Sequence, residues 1–224
     1  MIKLLDPPLV NAVPSAGYIQ AYPPGVRENG GQYSHAGVWA LMAQAEMAKQ
    51  QPNTREAVDT PYRYFTYLSP AHRASHPVRG PVYGAEPYVM AGDVYSQPPY
   101  VGRGGWSWYT GAAAWLHRAA IESIFGLQQQ DAQNMVFTPC LPSDWQQAEL
   151  TLVRNDRSMR FILVRANARA ALAMTAALCE PLVAQVLHPG QPLPWTGLAT
   201  HSCFVIPLLP DELAPPLAVS NDVL

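Results

Sequence analysis

Residues 110–126, TGAAAWLHRAAIESIFG, divide the chain into two halves of different character. The stretch is alanine-rich, carries no proline, and meets its next glycine at Gly126, so it reads as a helix closed by that glycine, with Thr110 as its N-cap. Beyond Gly126 the helical period is lost. A mostly polar connection from Leu127 to about Ala148 leads into short apolar or alternating segments at 149–154, 159–166, 171–178, 182–187 and 202–208, separated by turn residues. That spacing predicts an antiparallel β-sandwich.

Upstream of Thr110 the pattern is helical. Val38, Leu41, Met42, Ala45 and Met47 recur at helical spacing over 34–49, with Ser34 as the expected cap and Pro52 just past the end. Thr60-Pro61 reads as the cap and first turn of a helix reaching Leu68, and Glu86-Pro87 as the start of another running to about Tyr95. The expected class is α+β: helices over 1–126, a β-sandwich over 127–213 and a loose tail over 214–224. Four helices are too few to close a barrel of helices, so the first half looks incomplete by itself.

Composition excludes several functions. Fourteen basic and sixteen acidic residues are scattered singly, without a basic stripe, so nucleic acid is not an expected partner. Cys140, Cys179 and Cys203 lack CxxC spacing and read as reduced core residues, and the six histidines form no ligand cluster, so no metal is expected. The segment MIKLLDPPLVNAVP breaks at Asp6 and two prolines and does not read as a signal peptide, and no apolar run is long enough to span a bilayer. A cytoplasmic location is expected, with the parent protein open to membrane association. Only 13% of residues are charged, about half the usual share of roughly 25%. A larger partner, or the rest of a longer polypeptide, would cover the surface this leaves.

Two loops concentrate the polar chemistry. Residues 22–39, YPPGVRENGGQYSHAGVW, place Arg27, Glu28, Asn29, Gln32 and His35 around two glycines just ahead of an apolar helix. Such a set is costly to desolvate unless mutual pairing or a polar ligand satisfies it. Residues 99–115, PYVGRGGWSWYTGAAAW, run a glycine- and tryptophan-rich loop into Thr110-Gly111, where the free N–H groups of a helix start suit an anion such as phosphate.

Taken in order, GYIQAYPPGVRENGGQYSHAGVWA, YGAEPYVMAGDVYS, PPYVGRGGWSWYTGAAAW and FTPCLPSDW resemble the carboxy-terminal part of glycoside hydrolase family 94. These are inverting glycoside phosphorylases, and the likeness is greatest to the phosphorylase region of cyclic β-1,2-glucan synthases and to β-1,2-oligoglucan phosphorylases. It extends from Leu4 to about Pro207 and is strongest between Gly17 and Trp115.

The resemblance implies the last helices of an (α/α) barrel followed by a β-sandwich. It implies that His35, Thr110 and Gly111 bind the attacking phosphate and that Glu28 holds hydroxyls of a glucosyl unit, with Arg27, Asn29 and Gln32 supporting the same substrate loop. It further implies a reaction of β-glucan with inorganic phosphate as co-substrate and no cofactor, giving a shorter glucan and α-glucose 1-phosphate. In the family the general-acid aspartate lies upstream of the region resembled. Asp6, Asp93 and Asp144 do not occupy its motif, so the chain is expected to be a piece of such an enzyme, needing the rest of the barrel. At LCEPL the chain departs from the family's glycine-containing turn.

Blander readings stand beside these. Glu28 could pair with Arg27 or Arg103 as a structural ion pair, and Thr110-Gly111 could be an ordinary helix start. At least two of Trp106, Trp108 and Tyr109 are expected to fill space rather than face a sugar. A non-catalytic carbohydrate-binding or structural module is the alternative to an enzyme.

Overall fold

The computed structural model describes residues 1–210 except Asn53, Val183 and Gly197. The expected tail over 214–224 lies outside the described residues. The chain is mixed α and β and separates into two compact units, one comprising Met1–Gly126 with Cys140–Pro142, the other Leu127–Pro139 and Ser143 onward.

Unit 1 begins with a short helix α1 (Tyr18–Ala21), the two-residue strand β1 (Gln32–Tyr33) and the long helix α2 (Ser34–Lys49). The periodic residues Val38, Leu41 and Ala45 of α2 are fully buried. Ser34 is the first helical residue rather than the cap. Its hydroxyl donates instead to the Ala91 carbonyl at 2.6 Å, tying the helix start to the segment before Asp93.

Helix α3 spans Arg55–Leu68, so it starts well before Thr60 and encloses Pro61. The expectation of a cap at Thr60 is corrected: the preceding REAVD run already favours helix. The Thr60 hydroxyl donates back to the Glu56 carbonyl at 2.6 Å, one residue before the Ala57 carbonyl whose partner Pro61 removes. Two short helices follow, α4 (Pro70–Ala74) and α5 (Arg79–Tyr83).

The helix expected from Glu86-Pro87 is absent. Residues 84–92 turn repeatedly and enter β2 (Asp93–Val94), which pairs antiparallel with β1, Gln32 opposite Val94 and Tyr33 opposite Asp93. Long-range backbone bonds override the local signal here: Ser34 N–H to Gly92 O, Gly92 N–H to Trp106 O and Tyr109 N–H to Met90 O. The clearest sequence signal holds, with a refinement. Helix α6 (Thr110–Arg118) continues as a π-helical segment over Ala119–Phe125 and ends at Gly126 with φ +88°, a value glycine adopts freely. Helix α2 packs against both α3 and α6.

In unit 2, β3 (Leu127–Gln129), β4 (Asn134–Phe137) and β8 (Leu193–Pro194) form an antiparallel three-stranded sheet. A second sheet has the order β5 (Gln147–Arg154), β6 (Arg157–Val164), β9 (His201–Pro207), β7 (Ala184–Val186). Its pairing is mixed: β5–β6 is antiparallel, whereas β9 runs parallel to both β6 and β7. The expectation of a wholly antiparallel arrangement is therefore corrected.

The strand expected at 171–178 is instead helix α7 (Ala168–Cys179). The physical reason is topological, because β6 and β7 point the same way and the chain between them must cross over, most compactly through a helix. Asn167 caps it by accepting the Ala170 N–H at 2.9 Å. Helix α7 covers one face of the mixed sheet, where Ala171 and Cys179 meet Ile162, Val164, Cys203 and Val205. Phenylalanines fill the other face: Phe161 stacks on Phe204 at 5.3 Å and meets the tilted ring of Phe137 of β4 at 4.6 Å, centroid to centroid.

Cys179 and Cys203 form a disulfide beneath α7, correcting their reading as reduced thiols; Cys140 alone is free and buried. No described helix is long and apolar enough to cross a membrane.

Candidate functional site

The site is built on unit 1 from three segments, 22–35, 90–96 and 102–111, which the ladder just described joins. Arg27 sits at its centre. Its backbone turns through φ +49°, uncommon for a residue with a side chain, and its N–H donates to Asp93 Oδ2 at 2.6 Å. The guanidinium donates to the Tyr109 hydroxyl and lies 5.4–5.7 Å from the ring centroids of Tyr22, Tyr33 and Tyr109. Burial alone would lower the affinity of Arg27 for its proton, but the Tyr109 hydrogen bond and the neighbouring Glu28 charge raise it, so the group is a fixed cation.

Glu28 pairs with Arg27 at 3.4 Å and keeps a side chain 14% exposed. Of the two partners considered for it, Arg27 is the one met; Arg103 lies instead over the Tyr100 ring, 5.5 Å from its centroid. Asp93 is buried, and burial raises its carboxyl above the ordinary range against the opposing pull of the Arg27 N–H. The geometry at Gly105 leaves no slack, since a Cβ there would stand 1.9 Å from Asp93 Oδ1.

Asn29 and Gln32 face inward. Asn29 accepts the Leu9 N–H at 2.6 Å and donates to the carbonyls of Leu9 and Tyr22, while Gln32 accepts from the Ile2 N–H and Arg73 and donates to Tyr67 O. Both are wholly buried. Their amides brace the loop from behind, leaving Arg27 and Glu28 as the members of this group with exposed side-chain surface.

His35 lies in the first turn of α2, between Trp39 at 4.9 Å and Trp115 of α6 at 6.0 Å. Its Nε2 is buried and has no hydrogen-bond partner among the described residues, an arrangement that calls for an explanation in any native fold. Helix α6 starts at Thr110 itself, with Tyr109 in the capping position, so Thr110 is not the N-cap. Thr110 and Gly111 are exposed, and a Cβ at Gly111 would meet nothing within 4 Å. Thr110 N–H bonds to Trp108 O and Ala113 N–H to Tyr109 O, leaving those of Gly111 and Ala112 without a backbone acceptor among the described residues. Open N–H groups at the positive end of a helix can take an anion.

Trp106 and Trp108 are 77% and 66% exposed, contrary to the expectation that at least two of the three aromatics would pack; only Tyr109 does. The loop lifts both indoles outward, Trp108 through φ +64°. Tyr109 as the partner of Arg27 and Asp93 as the acceptor of its N–H are site residues that the sequence patterns do not single out. The signal for Asp93 was available as a lone carboxylate between the apolar residues of VMAGDVY.

Among the described residues, unit 1 thus carries a helix start whose Gly111 and Ala112 N–H groups lack a backbone acceptor, a buried His35 Nε2 without a partner beside that helix, and a loop bearing the Glu28 carboxylate. Residues 1–126 match the sequence model of the Glycosyl hydrolase 94 superfamily, catalytic domain, and the chain belongs to that family. Among its relatives, cyclic beta-(1,2)-glucan synthase NdvB of Rhizobium meliloti (strain 1021) is 43% identical over 145 residues, covering 65% of this chain and 5% of the relative. Solabiose phosphorylase of Paenibacillus borealis is 29% identical over 151 residues, covering 66% of this chain and 18% of the relative. N,N'-diacetylchitobiose phosphorylase of Vibrio proteolyticus is 27% identical over 140 residues, covering 60% and 16%. The chain thus matches less than a fifth of the length of each of these relatives.

Proposed function

We propose that this chain supplies the phosphate site and part of the sugar site of an inverting glycoside phosphorylase acting on β-glucans. The observation that carries the reading is the buried, unpartnered Nε2 of His35 beside α6, whose first turn presents free N–H groups and the Thr110 hydroxyl. A phosphate held there would satisfy the imidazole and the helix start together. Glu28, fixed by Arg27, would accept hydroxyls of the donor sugar.

In inverting phosphorolysis a carboxylic acid protonates the glycosidic oxygen while phosphate attacks the anomeric carbon from the opposite face. Phosphate brings its own negative charge, so the protein's task is to orient it and offset that charge. The general acid belongs, on this reading, to a segment of the parent enzyme outside these residues. The helices of unit 1 would be the last of an (α/α) barrel, which accords with the small share of each relative that the chain matches.

The test is isothermal titration of the chain with inorganic phosphate, with and without a β-1,2-glucooligosaccharide, beside His35→Ala and Thr110→Ala. Saturable binding weakened by both substitutions is expected. Affinity unchanged in folded variants would overturn the assignment. The exposed Trp106 and Trp108 favour a second reading, a module that binds glucan without turnover. Phosphate-dependent product, formed once the upstream helices of a family member are supplied, separates the two.

A further inference from the structure

Unit 2 carries a second polar cleft that the phosphorylase reading does not use. It encloses about 400 Å³ and is lined by Arg154, Asn155, Asp156, Arg157, Trp195 and Thr196, among others. Strands β5 and β6 turn back through Asn155 and Asp156, with Asn155 at φ +53°. The hairpin register puts Arg154 directly opposite Arg157.

Like charges facing each other across a strand pair destabilise it. Neither guanidinium meets a carboxylate within ion-pair distance among the described residues. Both converge on Trp195: Arg154 lies over its ring, 4.5 Å from the centroid, and Arg157 Nη1 donates to its carbonyl at 3.1 Å. The indole Nε1–H of Trp195 is itself buried and has no acceptor among the described residues. The cleft is thus lined by two cations and by a tryptophan whose indole N–H lacks an acceptor among the described residues. Asp156 is the single acidic residue in the lining.

We infer that this cleft binds an oxyanion, a phosphate or carboxylate group on a small ligand, bridging Arg154 and Arg157. An oxyanion between them turns the repulsion of the facing arginines into two charge-assisted hydrogen bonds, and arginine's planar fork suits that geometry. The inference rests on unit 2 alone and does not depend on the function proposed for unit 1.

The experiment follows the indole N–H resonances of the uniformly ¹⁵N-labelled chain, with Trp195→Phe identifying the Trp195 signal. Inorganic phosphate, α-glucose 1-phosphate and glucuronate are titrated separately into the chain, into Arg154→Gln and Arg157→Gln, and into His35→Ala. The expected result is a saturable shift of the Trp195 signal with at least one of the three, weakened about tenfold or more by either arginine substitution and unaltered in His35→Ala. The ligand saturating at the lowest concentration separates free phosphate from a phosphorylated or carboxylated sugar. A Trp195 signal that none of the three moves, or one that moves equally in folded Arg154→Gln and Arg157→Gln, overturns the inference. Loss of the shift in His35→Ala would reassign it to the site on unit 1 and equally overturn it.

Discussion

Asp93 links the loop that carries Arg27 and Glu28 to the glycine run that leads into α6, and it does so as a buried acid. Because burial raises its pKa, the folded chain holds the Asp93 proton more tightly than the unfolded chain. The folded state therefore binds more protons in the window above the ordinary value of 3.8, and the stability from this group falls as pH rises through the folded pKa. Asp93→Asn keeps an acceptor for the Arg27 N–H but cannot ionise. Urea denaturation between about pH 4 and about pH 7 should show wild type losing stability relative to Asp93→Asn as pH rises. Asp93→Ala, which leaves that N–H unpaired, should cost about 1–3 kcal/mol at any pH in the range. The polar members of this site were legible as residue types crowded around glycines. Their directions were not legible from the residues themselves, because a loop has no period to say which side chain turns inward; only the family resemblance set Glu28 apart from Asn29 and Gln32.

Among the elements, α2 and β5 were legible because their apolar residues recur with one period, and β6 and β9 because each holds a short unbroken apolar run behind polar residues. Helix α7 was misread for the converse reason. Its sequence, ARAALAMTAALC, alternates small and larger apolar residues over Ala171–Met174 while its alanines suit a helix, and only the parallel pairing of β6 and β7 with β9 decides between them. The helix buries few of its own residues, chiefly Ala171 and Cys179, so its ends matter. Asn167→Ala should cost roughly 0.5–2 kcal/mol, read from thermal or urea unfolding of unit 2. At the other end the Cys179–Cys203 bridge closes a separation of 24 residues. Its reduction should cost about 2–5 kcal/mol and lower the unfolding midpoint, an effect absent in a Cys179→Ala, Cys203→Ala variant.

For the whole molecule, thiol accounting is the simplest check on the covalent structure. Burial pushes the Cys140 thiol up to about 11, so it should resist alkylation near neutral pH in the folded chain. Mass spectrometry after labelling should find no modified cysteine in the native chain, one after denaturation alone, and all three once reductant is added. The end of the helical period at Gly126 was readable from the sequence, but the half beyond it read as strands alone, without α7. That Cys140–Pro142 belong to the first unit was not readable, since short-range pattern cannot report that Cys140 packs among Ala45 and Ala48.

Strand β9 comes last along the described chain yet lies inside the sheet, between β6 and β7. On the ribosome, the β5–β6 hairpin and β7 must therefore wait as separate pieces until residues 201–207 have emerged. During that interval they expose open edges to neighbouring nascent chains. Stopping translation before His201 should leave amides 157–164 and 184–186 exchanging rapidly, while those of α2 retain their protection.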